Sequence, residues 1–152
     1  MVDGSWYLPG SGRSGLSEYA QGHIPGAVFL DLDQVSDARS SLPHMLPQPD
    51  EFAARMSALG LDEGDDLVVY DGSGTNLSAA RIWWMFRVFG HSRVAVLDGG
   101  MGKWRSEGRP LERGMVHLPP GHFRAGLDPR AVRDLPATMR APCAKVHQQD
   151  QA

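Results

Sequence analysis

The chain has 152 residues, the size of one ordinary domain, and 41% of them are apolar, enough for a packed core. Fifteen Lys and Arg stand against eighteen Asp and Glu, a formal charge of -3, which excludes the strongly basic surface of a nucleic-acid or anionic-membrane binder. No apolar run approaches the ~20 residues of a membrane span, the first residues lack the pattern of a secretory signal, and the lone Cys143 has no internal disulfide partner, so a cytoplasmic protein is expected.

"MVDGSWYLP" reads as a short strand ending at Pro9, followed by a flexible "GSGRSG" loop. "LSEYAQGH" fits a short helix closed by Gly22. The chain then turns at Pro25-Gly26 and enters a strand centred on Ala27 to Leu30. Residues 34–48, with Pro43 and Pro47, read as an irregular surface loop. "PQPDEFAARMSALGL" carries helix signals: Pro49 and Asp50 near the start, Phe52, Met56 and Leu59 on one face, Gly60 at the end.

"DDLVVYD" is an apolar run bounded by charges, the mark of a central strand covered on both faces. Ser78 to Phe89 is predicted as a helix closed by Gly90, "SRVAVLDGG" as another buried strand, and "MGKWRSEG" as a short amphipathic helix ended by Gly108. Beyond Pro110 no element is expected before the weak helical pattern "PRAVRDL", and apolar periodicity fades from Arg124 onward. The predicted organisation is a domain over residues 1–128 and a linker or irregular tail over 129–152.

Strands alternating with helices across short loops imply an α/β fold, a central parallel sheet with helices on both faces. Sites in such sheets form at the carboxyl ends of the strands. Asp31-Leu32-Asp33, Asp71-Gly72-Ser73 and Asp98-Gly99-Gly100 are all expected at that edge. The loop Asp71, Gly72, Ser73, Gly74, Thr75, Asn76 joins a buried strand to a helix start. Such a turn aims backbone N–H groups inward, and the helix dipole adds positive charge. A cysteine there would become a stabilised thiolate; this chain has Asp71, whose carboxylate can accept those N–H bonds itself and repel a second anion. "DGSGT" also resembles, weakly, the nucleophilic turn of haloacid-dehalogenase-type phosphatases and the phosphate loop of actin-like ATPases. The plainest reading is a tight turn capped by Asp71.

Taken together and in order, "DGSWYLP", "HIPGAVFLDLDQVSD", "LPHMLP", "VVYDGSG", "SAARIWWMFRVFGH" and "VLDGGMGKW" resemble the N-terminal half of tandem rhodanese-type sulfurtransferases acting on mercaptopyruvate or thiosulfate. The resemblance covers residues 2 to about 128. It implies two rhodanese-like domains in the full-length proteins. The second carries the cysteine that takes sulfur as a persulfide and passes it to a thiol or cyanide; the first carries a degenerate loop, commonly with Asp in the cysteine's place, as at Asp71. The resemblance also implies that Asp33 and His44 contribute to a Ser-His-Asp-like set whose serine belongs to the second domain. On this reading the catalytic set is incomplete in the chain. A catalytic rhodanese domain, in cis or in trans, or self-association supplies the partner, and a small sulfur donor is bound only with that partner. The short edge strand and helix that the family places ahead of "VDGSWYLP" are not in this sequence, so an N-terminally truncated domain is expected. No cofactor, metal, nucleic acid or membrane is called for.

The alternatives are a free-standing docking domain without enzymatic activity and a phosphatase-like enzyme using Asp71. Cys143 lacks a preceding buried strand and a glycine cradle and reads as an ordinary tail thiol. His23 and His91 read as structural, and His117 and His122 lack further ligands at metal spacing. Arg13, Arg39 and Arg81 are not assigned to substrate binding. Trp83 and Trp84 are adjacent on a helix, so one is expected beneath the sheet and the other, with Met85 or Arg87, against a partner domain.

Overall fold

Four short parallel strands form one sheet in the order β2-β1-β3-β4: β1 (Val2–Asp3), β2 (Val28–Phe29), β3 (Leu67–Tyr70) and β4 (Val94–Val96). The computed structural model describes residues 1–133 and Thr138; Cys143 and most of the expected tail lie outside the described residues. The registers pair Val2 with Val28 and Val69, and Val69 with Val96. Five helices connect and cover the sheet: α1 (Gly15–Gln21), α2 (Leu32–Val35), α3 (Pro49–Ala58), α4 (Leu77–Val88) and α5 (Gly100–Ser106).

Side chains alternate across each strand, so the sheet carries two cores. On one face Val2, Val28, Leu67 and Val69 pack against Leu32 and Val35 of α2, Phe52 and Met56 of α3, and Ile82, Met85 and Phe86 of α4. Phe52 stacks on Phe89 with ring centroids 4.4 Å apart. Burying each such aromatic contributes about 1.5–3 kcal/mol. On the other face Tyr70 and Ala27 meet Ile24 and Met101, with Leu97 and Trp104 packed against them. The helices therefore cover both faces, as the alternation predicts.

Several local readings change. The first strand ends at Asp3, not Pro9, because the Asp3 carboxylate accepts the Ser5 N–H and draws the backbone out of the ladder. After β2 the Asp31 carboxylate accepts the Asp33 N–H and starts α2, so Leu32 and Asp33 lie on a helical turn that the reading of 34–48 as pure loop also misses. β4 is an edge strand, paired on one side only, and its Ala95 is exposed rather than buried. Of the two tryptophans Trp84 is the one that packs, partly buried, against the larger core, while Trp83 is 37% exposed; Met85, expected at a surface, is buried instead. The Trp83 indole spends its N–H on the Val94 carbonyl. Residues 129–133 form no helix.

From Leu111 to Asp128 the chain runs as a strap without regular structure. Glu112 exchanges backbone hydrogen bonds with His23, Gly121 donates to the Ser57 carbonyl, and Asp128 donates to the Val88 carbonyl. Phe123 drops from the strap into the larger core and is 5% exposed. Gly60 lets the strap approach: its φ is +78°, and a Cβ there would sit 2.4 Å from Leu118 Cβ.

Asp3 gives the fold a pH signature. It is buried at the end of β1, and burial raises its carboxyl pKa, with the hydrogen bonds from Ser5 and Tyr70 and the charge of His23 opposing. Because the folded value is raised, Asp3's contribution is fully present below the unfolded value of about 3.9 and is lost as the pH rises through the folded value. Asp37, Asp66 and Asp128, held low by arginine partners and backbone N–H groups, shift the other way. The readout is therefore a difference: Asp3→Asn is expected to flatten that decline in urea unfolding followed from pH 4 to 7. A variant whose profile parallels the parent's would show Asp3 uninvolved.

Candidate active-site cleft

At the carboxyl end of β3 the chain delivers Asp71 into a fully buried position. Its Oδ1 accepts the Ser73 N–H at 2.8 Å and the Ser73 hydroxyl at 2.6 Å. Its Oδ2 accepts the Ser78 hydroxyl at 2.9 Å and the Ala79 N–H at 3.0 Å. Asn76, the residue before α4, has φ 55° and makes no side-chain cap. Asp71 thus caps α4 from outside it, and its charge meets the positive end of the helix dipole. The loop is fixed from behind by Ser5 Oγ, which accepts the Gly72 N–H at 2.9 Å. From the side, α5 closes in: a Cβ on Gly100 would lie 2.8 Å from the Asp71 carbonyl and 2.6 Å from Asn76 Oδ1, at φ +52°. The anion position of this loop is therefore occupied by the protein's own carboxylate. No lone pair direction of Asp71 faces solvent, which leaves it poorly placed to attack a phosphoryl group.

A second pair sits across the loop. Asp33, on α2, accepts from His44 Nε2 at 2.7 Å. The Trp6 indole N–H donates to both Asp33 oxygens at 3.1 Å, and the Trp6 ring meets the His44 ring edge-on with centroids 4.8 Å apart. The pairing favours the Nε2–H tautomer and leaves Nδ1 as the unprotonated nitrogen. His44 holds a left-handed backbone, φ 54°, which costs a non-glycine residue about 1 kcal/mol. Its carbonyl accepts a hydrogen bond from Arg81 Nη2.

His44 and the loop residue Ser73 border one cleft of about 490 Å³, lined also by Trp6, Leu8, Leu77 and Arg81 among others. Its rim is apolar and open: Leu8 is 71% and Leu77 74% exposed. The sequence reading brings Asp33 and His44 to the same edge as the Asp71 loop; in the structure His44 lines this cleft, Asp33 is bonded to it from outside the lining, and Asp71 is buried behind Ser73 and Ser78, which do line it. It did not single out Trp6, which orients Asp33, or Arg81, which reaches the back of His44 from α4. The pattern "SAARIWW" gives a helix face but not which loop that face meets.

Arg13 also lines this cleft and donates to the Gly72 carbonyl of the loop, but its guanidinium is engaged by neighbours. Arg13 donates to both oxygens of Glu18 and to the Tyr7 hydroxyl, and lies 3.8 Å over the Tyr7 ring. The bonds from Arg13 hold the Glu18 carboxyl below its usual range. Burial, with Glu18 beside it, pushes the Tyr7 hydroxyl up. Arg39 pairs with Asp37 and Glu51. His23 Nδ1 is bonded to the Tyr19 carbonyl at 2.9 Å, and His91 packs against Phe86 and Phe123. Among the described residues no group of three or more His, Cys, Asp or Glu could hold a metal ion, and no helix is long and apolar enough to cross a membrane.

Known proteins share this fold. The rhodanese-like domain pattern matches residues 15–107. The chain is 56% identical over 112 residues to the mitochondrial thiosulfate/3-mercaptopyruvate sulfurtransferase 1 of Arabidopsis thaliana, covering 74% of this chain and 29% of that protein. It is 46% identical over 134 residues to the human 3-mercaptopyruvate sulfurtransferase, covering 88% of this chain and 45% of the relative. The crystal structure of SseA, a 3-mercaptopyruvate sulfotransferase from Escherichia coli, superposes with a TM-score of 0.86 at 44% identity, over 91% of this chain and 53% of that one. The chain thus spans between about a third and a half of the length of these relatives.

Proposed function

The chain belongs to the rhodanese-like domain family, and on that premise we propose that it forms the non-catalytic wall of a sulfurtransferase site. In this reading a catalytic rhodanese domain docks over the cleft and brings the cysteine that carries sulfur from 3-mercaptopyruvate or thiosulfate to a thiol or cyanide acceptor. Residues 1–128 act as the wall, with the remainder as linker. Asp71 stands where that cysteine would be. The observation that carries the proposal is the saturation of Asp71 by four hydrogen bonds, two of them from backbone N–H groups, in a loop otherwise built to stabilise an anion.

Asp33 and His44 are the residues this domain would lend to the chemistry. With the Nε2 proton held by Asp33, His44 Nδ1 is free to accept a hydroxyl proton from the partner domain, in the manner of a Ser-His-Asp set. The exposed Leu8 and Leu77 beside the cleft fit a surface that a second domain covers. The same surface would serve a docking domain with no chemistry of its own, whereas the inaccessible Asp71 carboxylate weighs against a phosphatase.

The purified chain is expected to release no thiocyanate from 3-mercaptopyruvate or thiosulfate with cyanide. Adding a separately made catalytic domain from a close relative is expected to give turnover above that domain's own rate. Turnover by the chain alone would sink the proposal, and no enhancement in the mixture would favour the docking reading.

A further inference from the structure

We propose that Arg81 is a positioning residue for His44, holding the backbone that aims its imidazole; the inference rests on the reading of His44 given above. Three observations converge on it. First, among the described residues only His44 and Asn76 combine a side chain with a left-handed backbone. Histidine visits that region more than most non-glycine residues, yet it remains a minority conformation, so a contact that holds the His44 backbone there bears on its geometry. Second, Arg81 Nη2 donates to the His44 carbonyl across 37 positions of sequence, from a helix to an irregular loop. Third, Arg81 is desolvated for little else. Its guanidinium lies 4.5 Å over the Trp84 ring, its Nε is buried without a hydrogen-bond partner, and no carboxylate pairs with it among the described residues.

Partial burial lowers the Arg81 pKa, although the residue still lines the cleft, and no anion compensates among the described residues. Such an arrangement adds little to stability, because a half-buried cation gains nothing from an ion pair. It is well suited to geometry. The planar guanidinium, stacked on Trp84 from the same helix, is a rigid donor. Asp33 holds the ring at Nε2, Trp6 bounds its edge, and Arg81 fixes the carbonyl. With all three in place the ring is held at Nε2, at its edge and through its backbone, and Nδ1 is the nitrogen not engaged by Asp33. Arg81 itself need touch no substrate; it acts through His44.

The test uses the full chain labelled with ¹⁵N and ¹³C, where the Cα and Cβ shifts of His44 report a left-handed or an extended backbone without any activity. Arg81→Met and Arg81→Gln are expected to move those shifts toward extended values, with thermal midpoints unchanged or raised as the unpaired charge is removed. Arg81→Lys keeps a donor and is expected to retain the left-handed signature. If Arg81→Met fails to fold, the Gln and Lys variants carry the comparison. With a catalytic domain added, Arg81→Met is expected to lower kcat by about 10²-fold with KM within about twofold, the usual scale for a misplaced group. Left-handed shifts retained in the Met and Gln variants, or displaced shifts with kcat unchanged, would overturn the proposal. Absence of any enhancement when the parent chain is mixed with the catalytic domain would count against the sulfurtransferase reading alone, while the shifts still judge Arg81.

Discussion

Asp71→Ala is expected to destabilise the chain by about 3–4 kcal/mol, the largest effect of any single polar substitution proposed for this domain. The carboxylate accepts four hydrogen bonds and is inaccessible to water, so its removal leaves the Ser73 and Ala79 N–H groups and the Ser78 hydroxyl without a partner. A lost N-cap alone costs about 1 kcal/mol. Each further buried donor left unsatisfied adds about 1–3 kcal/mol, moderated where the loop relaxes and water enters. Against a total stability of about 5–15 kcal/mol this is a large fraction, a drop in thermal midpoint of roughly 10 °C. Asp71→Asn keeps one acceptor oxygen but turns an NH₂ group toward two donors, so about half the loss is expected. Thermal and urea unfolding of the three proteins measure it. A cost below about 1 kcal/mol for Ala would mean that the loop satisfies its N–H groups without the carboxylate, and the account of this loop as a filled anion pocket would fall with it.

The central elements were legible in the sequence because their signals are local. β3 is four apolar residues between charges, and α3 and α4 end at Gly60 and Gly90, whose φ values are +78° and +91°. Where the reading failed, a side chain competed with the backbone or a neighbour was missing. Asp3 and Asp31 each accept a backbone N–H two residues on, which ends one strand and starts one helical turn; alternation of apolar residues carries no trace of that contest. β4 reads as buried because Val94, Ala95 and Val96 are all apolar, yet composition says nothing of how many strands lie beside it. The strap is the extreme case. Its place is fixed by backbone bonds to His23, Ser57 and Val88 and by one aromatic, Phe123, and no periodicity announces such a segment. The site divides the same way. Asp33, His44 and Asp71 came from matching motifs, while Trp6 and Arg81 matter through contacts across 27 and 37 positions that only the folded chain makes.

Exposure separates the Asp33–His44 pair from Asp71. The His44 side chain is 26% exposed and that of Asp33 65%, so in the chain alone water screens their interaction and it adds at most about 1 kcal/mol. The same pair, covered by a docked domain, would act in a drier medium where a carboxylate–imidazole contact orients a proton far more strongly. The two substitutions His44→Asn and Asp33→Asn are therefore expected to be nearly silent in unfolding, within about 0.5 kcal/mol, since Asn also accepts a left-handed backbone. In the mixture with a catalytic domain they are expected to lower turnover by about 10²–10⁴-fold, the range general acid–base groups supply. The two should not add: with His44 gone, Asp33 has no ring to orient, so the double variant is expected to match His44→Asn. Titrating the catalytic domain against each variant separates weaker docking, which saturation restores, from lost chemistry, which it does not. Turnover within threefold of the parent at saturation would remove Asp33 and His44 from the chemistry and leave the domain a docking wall.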